Sequence, residues 1–123
     1  MSKRILIADD EPNIVVSLEF LMKREGFDVS TAADGEAALA ALASGVPDLV
    51  LLDIMLPKMN GFEVCQRIRA NPQWNGVKVL MLTAKGRDTE VSKGLALGAD
   101  AYVTKPFSTK DLVAQIRQLL GLG

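Results

Sequence analysis

Histidine is absent from this chain of 123 residues, and cysteine occurs once, as Cys65. A zinc site of the usual nitrogen and sulfur ligands is therefore not expected. One thiol leaves no internal disulfide framework, which fits a reducing compartment. Neither sign of charge is in excess: 14 Lys and Arg against 15 Asp and Glu give a net charge of −1. The basic stripe that marks a nucleic-acid surface is missing. No apolar run approaches the roughly 18 residues of a membrane span. Linkers, low-complexity tracts and shifts of composition are lacking too. Hydrophobic residues make up 49% of the chain, enough to bury a core without staples. The expectation is a single cytoplasmic domain over 1–123, with no direct nucleic-acid contact and no membrane association.

Apolar patterning alternates between two periods. Continuous or β-rich runs lie near residues 4–8, 27–31, 48–52, 77–82 and 101–104. Helical spacing joins Ile14, Leu18, Leu21 and Met22, then Phe62, Cys65 and Ile68, then Leu112, Ile116, Leu119 and Leu120. Residues 35–44 are rich in Ala and Leu, and 87–97 read as a more polar, exposed helix. Pro12 suits the first turn of a helix and Gly26 its end. Gly45-Val46-Pro47, Asn60-Gly61, Asn75-Gly76 and Gly98 mark turns. Alternating β and α with continuous apolar strands predicts an α/β fold whose parallel sheet is covered on both faces.

Four of the strand-like runs end on polar residues. The first ends in Asp9-Asp10, the third in Asp53, the fourth in Thr83 and the fifth in Lys105-Pro106. In a parallel sheet these ends converge on the carboxyl edge, where ligands bind in open α/β folds. Gathered carboxylates raise one another's pKa, and a hard, oxygen-seeking cation such as Mg²⁺ relieves that repulsion. One carboxylate can then act as a nucleophile on phosphorus, in a transfer that depends mainly on positioning and charge neutralisation. Asp53, the lone acid on an expected central strand, is the best nucleophile candidate. Lys105 and Thr83 are placed to hold phosphoryl oxygens.

At this point the residues match a family. Asp9-Asp10-Glu11-Pro12, Asp53-Ile54-Met55-Leu56-Pro57 with Asn60-Gly61, Leu82-Thr83-Ala84, and Gly98 through Phe107 together resemble the CheY-like receiver domains of two-component response regulators. The resemblance covers the whole chain. It implies a doubly wound five-stranded parallel sheet of order 2-1-3-4-5, a CheY/flavodoxin-like three-layer sandwich. It also implies that Asp53 is phosphorylated and that Asp10 and Asp53 ligate Mg²⁺ (with Mn²⁺ as an alternative). Asp9 would assist through water, and the main-chain carbonyl of Met55 would be a further ligand. Thr83 and Lys105 would contact the phosphoryl group, the Lys105–Pro106 bond would be cis, and Tyr102 would be an aromatic switch moving with Thr83. The phosphoryl donor would be a histidine kinase or histidine phosphotransfer protein, since this chain has no histidine of its own.

Singly, the same residues have plainer readings: Asp9, Asp10 and Thr83 as helix caps, Asp53 as a turn former, Lys105 as a solvated lysine. Cys65, Met22 and Met81 read as core, and Trp74 as a loop residue packed at the sheet's edge. The segment 95–112 resembles the OmpR/PhoB class, which dimerises through the fourth helix, fifth strand and fifth helix. Lys93, Asp100, Asp111 and Arg117 are candidates for that charge network, although Ala101 and Gln115 stand where the class has an acid and a base. The chain is thus expected as a monomer or a phosphorylation-promoted dimer, with that face controlling a downstream protein partner. Asn13, Val16 and Ser17 are expected near the kinase, and Met55 and Lys85 beside the path of hydrolysis. Two alternatives remain. One is a receiver excised from a larger regulator or hybrid kinase. The other is a Mg²⁺-dependent phosphohydrolase with an aspartyl-phosphate intermediate, which the adjacent rather than alternating acids and the missing cap disfavour.

Overall fold

The computed structural model describes residues 2–84 and 88–122. Five strands alternate with five helices: β1 (Arg4–Ala8), α1 (Pro12–Arg24), β2 (Asp28–Ala32), α2 (Gly35–Ser44), β3 (Leu49–Asp53), α3 (Gly61–Ala70), β4 (Lys78–Ala84), α4 (Asp88–Ala96), β5 (Ala101–Lys105) and α5 (Thr109–Leu119). All strands are parallel, in the order β2-β1-β3-β4-β5. The expected order is confirmed, and the strand nearest the middle, β3, is buried at every residue.

Alternation along β3 explains the three layers. Leu49 and Leu51 join Ile5, Ile7, Leu80 and Leu82 on the face covered by Leu18, Leu21 and Met22 of α1 and by Leu112 and Ile116 of α5. Val50 and Leu52 join Leu6, Val79 and Met81 on the other face, covered by Ala38 and Leu42 of α2 and Val64, Cys65 and Ile68 of α3. A strand buried on both sides must be apolar at successive positions, hence a continuous run rather than alternation. Each such Val, Leu or Ile contributes roughly 1.5–3 kcal/mol on burial.

Helix starts are set by side chains that accept otherwise unpaired N–H groups. Asp34 accepts from Ala37 N–H at 2.7 Å, Asn60 from Glu63 N–H at 3.0 Å and Ser108 from Asp111 N–H at 3.3 Å. Asn60-Gly61, read above as a turn, is thus the cap and first residue of α3. Trp74 closes a short 3-10 turn, Pro72–Trp74, and packs against the α2/α3 core.

At the amino end of the sheet, Arg69 of α3 ties three segments together. Its guanidinium donates to Gly98 O at 2.8 Å, Val77 O at 2.8 Å and Asp100 Oδ2 at 2.7 Å. The same Asp100 oxygen accepts from Val79 N–H at 2.7 Å. Asp100, a candidate for the dimer network, is therefore engaged inside its own chain. Lys93 likewise lies 4.6 Å above the Phe62 ring, a cation–π distance.

Candidate functional site

Strand register places the polar ends. Ala8 pairs with Leu52, so Asp9 and Asp53 leave neighbouring strands at the same level. Leu52 pairs with Met81 and Asp53 with Leu82, which brings Thr83 one residue beyond. Ala84 pairs with Lys105 on the last strand. Three ladders joining four strands thus deliver two carboxylates, a hydroxyl and an ammonium to one edge of the sheet. Asp9, Asp53 and Thr83 are the buried polar residues there.

Lys105 is the pivot of this cluster. Its Nζ lies 2.9 Å from Asp9 Oδ2, 3.6 Å from Asp53 Oδ2 and 3.7 Å from Glu11 Oε1. Burial by itself would lower the lysine's pKa; the hydrogen bond to Asp9 and the charges of Asp53, Asp9 and Glu11 outweigh it and hold the pKa above its ordinary value. Asp53 is shifted upward, first by burial and then by the charge of Asp9, with Asp10 adding a little. Lys105 and the Met55 N–H, which donates to Asp53 Oδ1 at 3.2 Å, pull the other way without prevailing. Glu11, whose N–H donates to Asp9 Oδ1 at 2.9 Å, is a further acid at the site to which the sequence reading gave no role. The signal was its place directly after Asp9-Asp10.

Asp9, Asp10 and Asp53 each offer a carboxylate oxygen, all lying within 4.8 Å of one another. Three carboxylates converge on one ammonium there, and burial with the neighbouring acids raises the pKa of Asp53. An all-oxygen donor set with uncompensated negative charge fits a hard divalent cation. A stability prediction follows. Because its native pKa is raised, ionised Asp53 penalises the folded state fully above that pKa, and the penalty vanishes below the ordinary carboxylate pKa. Without divalent metal at neutral pH, Asp53→Asn should raise the Tm by a few degrees, and the gain should shrink as pH falls through the raised pKa of Asp53 and be nearly gone by about 4, the ordinary carboxylate value. Adding Mg²⁺ should raise the Tm of the wild type but hardly that of the variant. Thermal melts with and without EDTA check both.

The remaining candidates are placed as follows. Thr83 Oγ1 is 3.4 Å from Ala84 O, a weak contact that leaves the hydroxyl easily turned. The site cleft is lined by Asp10, Glu11, Asp53, Met55, Thr83, Glu90 and Lys105, among others. Met55 is exposed at its rim. Tyr102 is not in the cleft: it is 43% exposed and lines a separate groove with Leu95, Phe107 and Gln115. Lys105–Pro106 is cis, as the resemblance implied. Cys65 is fully buried, which pushes its thiol pKa up. Lys85 lies outside the described residues. Among those residues no helix is long and apolar enough to cross a membrane.

The profile of the response regulator receiver domain family matches residues 5–117. The chain belongs to that family. This receiver is 46% identical over 120 residues to the alkaline phosphatase synthesis transcriptional regulatory protein PhoP of Bacillus subtilis, covering 98% of this chain and 49% of PhoP. It is 48% identical to the DNA-binding response regulator MtrA of Mycolicibacterium smegmatis, covering 98% and 51% respectively. Among solved structures, a CheY-like receiver domain protein from Methanospirillum hungatei superposes with a TM-score of 0.91 at 34% identity over 98% of this chain and 95% of the other. The receiver domain of the sensor histidine kinase PA1611 from Pseudomonas aeruginosa does so with 0.90 at 26% identity, over 98% and 99%. That structure carries a magnesium ion in its active-site cleft. Receivers act in two-component signalling rather than in turnover of metabolites, and they bind Mg²⁺ in their acidic site.

One expectation is corrected by these relatives. Direct nucleic-acid contact was not expected, and the expected output was protein binding or phosphotransfer relay, yet PhoP and MtrA are named as transcriptional and DNA-binding regulators. The receiver spans about half the length of the curated relatives it matches. Near-neutral charge over 123 residues describes the surface of this module only. It carries no information about nucleic-acid contacts made by the other half of such regulators.

Proposed function

We propose that the receiver is a phosphoacceptor switch in which Asp53 takes a phosphoryl group from phosphohistidine on a partner protein. The observation that carries this reading is the position of Lys105. Its ammonium bridges Asp9 at 2.9 Å and Asp53 at 3.6 Å where the buried ends of the strands meet. A solvated lysine has no reason to be there. Residues 1–123 act as one unit, in the cytoplasm where the donor's phosphohistidine is presented.

Asp53 Oδ2 attacks phosphorus; the P–O bond forms as the P–N bond of the donor breaks, and the donor's ring, already protonated on its other nitrogen, leaves as neutral imidazole. Asp53 Oδ1 stays on the Met55 N–H, which fixes the attacking oxygen toward Lys105. Asp9, Asp10, Asp53 and the Met55 carbonyl would hold Mg²⁺ or Mn²⁺. When bound there, the cation would neutralise phosphoryl charge. Lys105 keeps its link to Asp9 and pairs with a phosphoryl oxygen. Thr83 turns from Ala84 O to donate to another, and the space it leaves lets Tyr102 move inward, shifting the population of the face formed by α4, β5 and α5. Water then cleaves the acyl phosphate within the site, so the chemistry is self-modification and slow self-reversal.

The test is intact-mass spectrometry after incubation with acetyl phosphate, with and without Mg²⁺. One phosphoryl adduct that requires Mg²⁺, is stable in acid and is removed by hydroxylamine is the expected result. A folded, Mg²⁺-binding protein that gains no adduct from acetyl phosphate or from a phosphorylated kinase overturns the reading. Lys105→Ala should slow adduct formation on the order of 100-fold, the usual cost of losing one charge-stabilising donor. Stopped time courses at fixed Mg²⁺ measure it.

A further inference from the structure

The loop 54–60 after Asp53 is gripped from two sides by glycines. On the α3 side, Gly61 N–H donates to Ile54 O at 2.9 Å. A Cβ on Gly61 would land on the Asp53 carbonyl oxygen and come within 2.8 Å of Ile54 Cα. On the α2 side, Gly35 N–H donates to Pro57 O at 3.2 Å. A Cβ there would land on the Met59 carbonyl oxygen and come within 2.8 Å of its carbonyl carbon.

Both glycines open a helix directly after its capping side chain, Asp34 or Asn60. Neither has a positive φ, so space and not backbone freedom is what excludes a side chain. Between the two jaws the loop is tightly folded. Lys58 adopts φ 66, Met59 N–H donates to Pro57 O at 2.7 Å, and Lys58 Nζ lies 3.7 Å from Asp34 Oδ2. The jaw on α3 presses the Asp53 main chain directly. The jaw on α2 belongs to a helix that supplies none of the acids of the cluster.

We propose that Gly35 is a positioning residue for the site. By admitting the Met59 carbonyl against the first turn of α2, it sets the loop that carries the Met55 main chain, and through that loop it sets the affinity for the divalent cation. The proposal rests on the reading of Asp9, Asp10, Asp53 and Met55 as the cation's ligands. Residues that orient metal ligands without touching the metal typically change affinity 10- to 100-fold when altered.

The experiment is isothermal titration of Mg²⁺ into wild type, Gly35→Ala and Gly76→Ala, with metal-free thermal melts on each. Gly76 is the control, since a Cβ there meets nothing within 4 Å. Gly35→Ala should weaken Mg²⁺ binding about tenfold or more, and the Mg²⁺ concentration for half-maximal labelling should rise by the same factor. Gly76→Ala should bind as wild type. A folded Gly35→Ala with a lowered Tm but an unchanged Kd overturns the positioning role. If Gly35→Ala does not fold, Pro57→Ala decides, because it loosens the same loop without adding bulk or charge. Weakened Mg²⁺ binding supports the proposal and unchanged binding overturns it. Failure of the wild type to bind Mg²⁺ would overturn the underlying site reading instead, and this proposal with it.

Discussion

Asp53→Asn should abolish phosphoryl labelling completely while leaving the fold intact. The amide is nearly isosteric with the carboxylate and retains an oxygen for the Met55 N–H, now bonded to Oδ1 at 3.2 Å. What it loses is the anionic oxygen that faces Lys105 at 3.6 Å. An amide oxygen is too weak a nucleophile to displace a leaving group from phosphorus. Its neighbours cannot substitute. Asp9 is buried and its Oδ2 is held by Lys105 at 2.9 Å, and Asp10 is the solvent-exposed member of the cluster. The expected mass spectrum is a wild type carrying one adduct beside a variant carrying none under the same acetyl phosphate and Mg²⁺. Persistence of one equivalent on the variant would move the phosphoacceptor elsewhere and sink the mechanism. The variant's higher metal-free Tm, predicted above, guards against misreading an unfolded protein as an unreactive one.

Much of this site was legible because parallel strands advertise their ends. Val50, Leu51 and Leu52 are buried in the middle layer, so the apolar run stops only where the strand reaches the carboxyl edge of the sheet, at Asp53. The same logic located Asp9, Thr83 and Lys105, and ladder register did the rest. Contacts between elements remote in sequence were not legible. Asp100 reads as a surface acid beside Ala101, and nothing local shows that Arg69, on another helix, reaches it along with two carbonyls. Gly35 gave no sign of its contact with Met59 either, since Asp34-Gly35 looks like any helix cap. The partner expectation failed for a different reason. Charge balance was taken over the receiver alone, whereas the relatives are twice as long.

Arg69→Ala should be strongly destabilising, and it should leave phosphorylation alone. The change removes three hydrogen bonds from a charged guanidinium, one of them to a carboxylate. It takes the guanidinium from the Val77 and Gly98 carbonyls and leaves Asp100, among the described residues, with the bond from Val79 N–H. Buried bonds to a charged group are worth about 1.5–3 kcal/mol each. Because Arg69 and Asp100 remain partly exposed, water recovers some of that, and a net loss of about 3 kcal/mol is expected. For a domain of this size that lowers the Tm by roughly 10 °C. Arg69→Lys should rescue little, since an ammonium cannot reproduce a planar fork aimed at three acceptors. Asp100→Asn should cost less, because the amide oxygen still accepts from Val79. A double-mutant cycle on Arg69 and Asp100, read by urea unfolding, isolates their coupling. The network sits at the amino ends of β4 and β5, whereas Thr83 and Lys105 sit at their carboxyl ends. Below its melting temperature, Arg69→Ala should therefore label at the wild-type rate. Slower labelling at full folding would mean that the amino end of β5 is part of the switch rather than its fixed support.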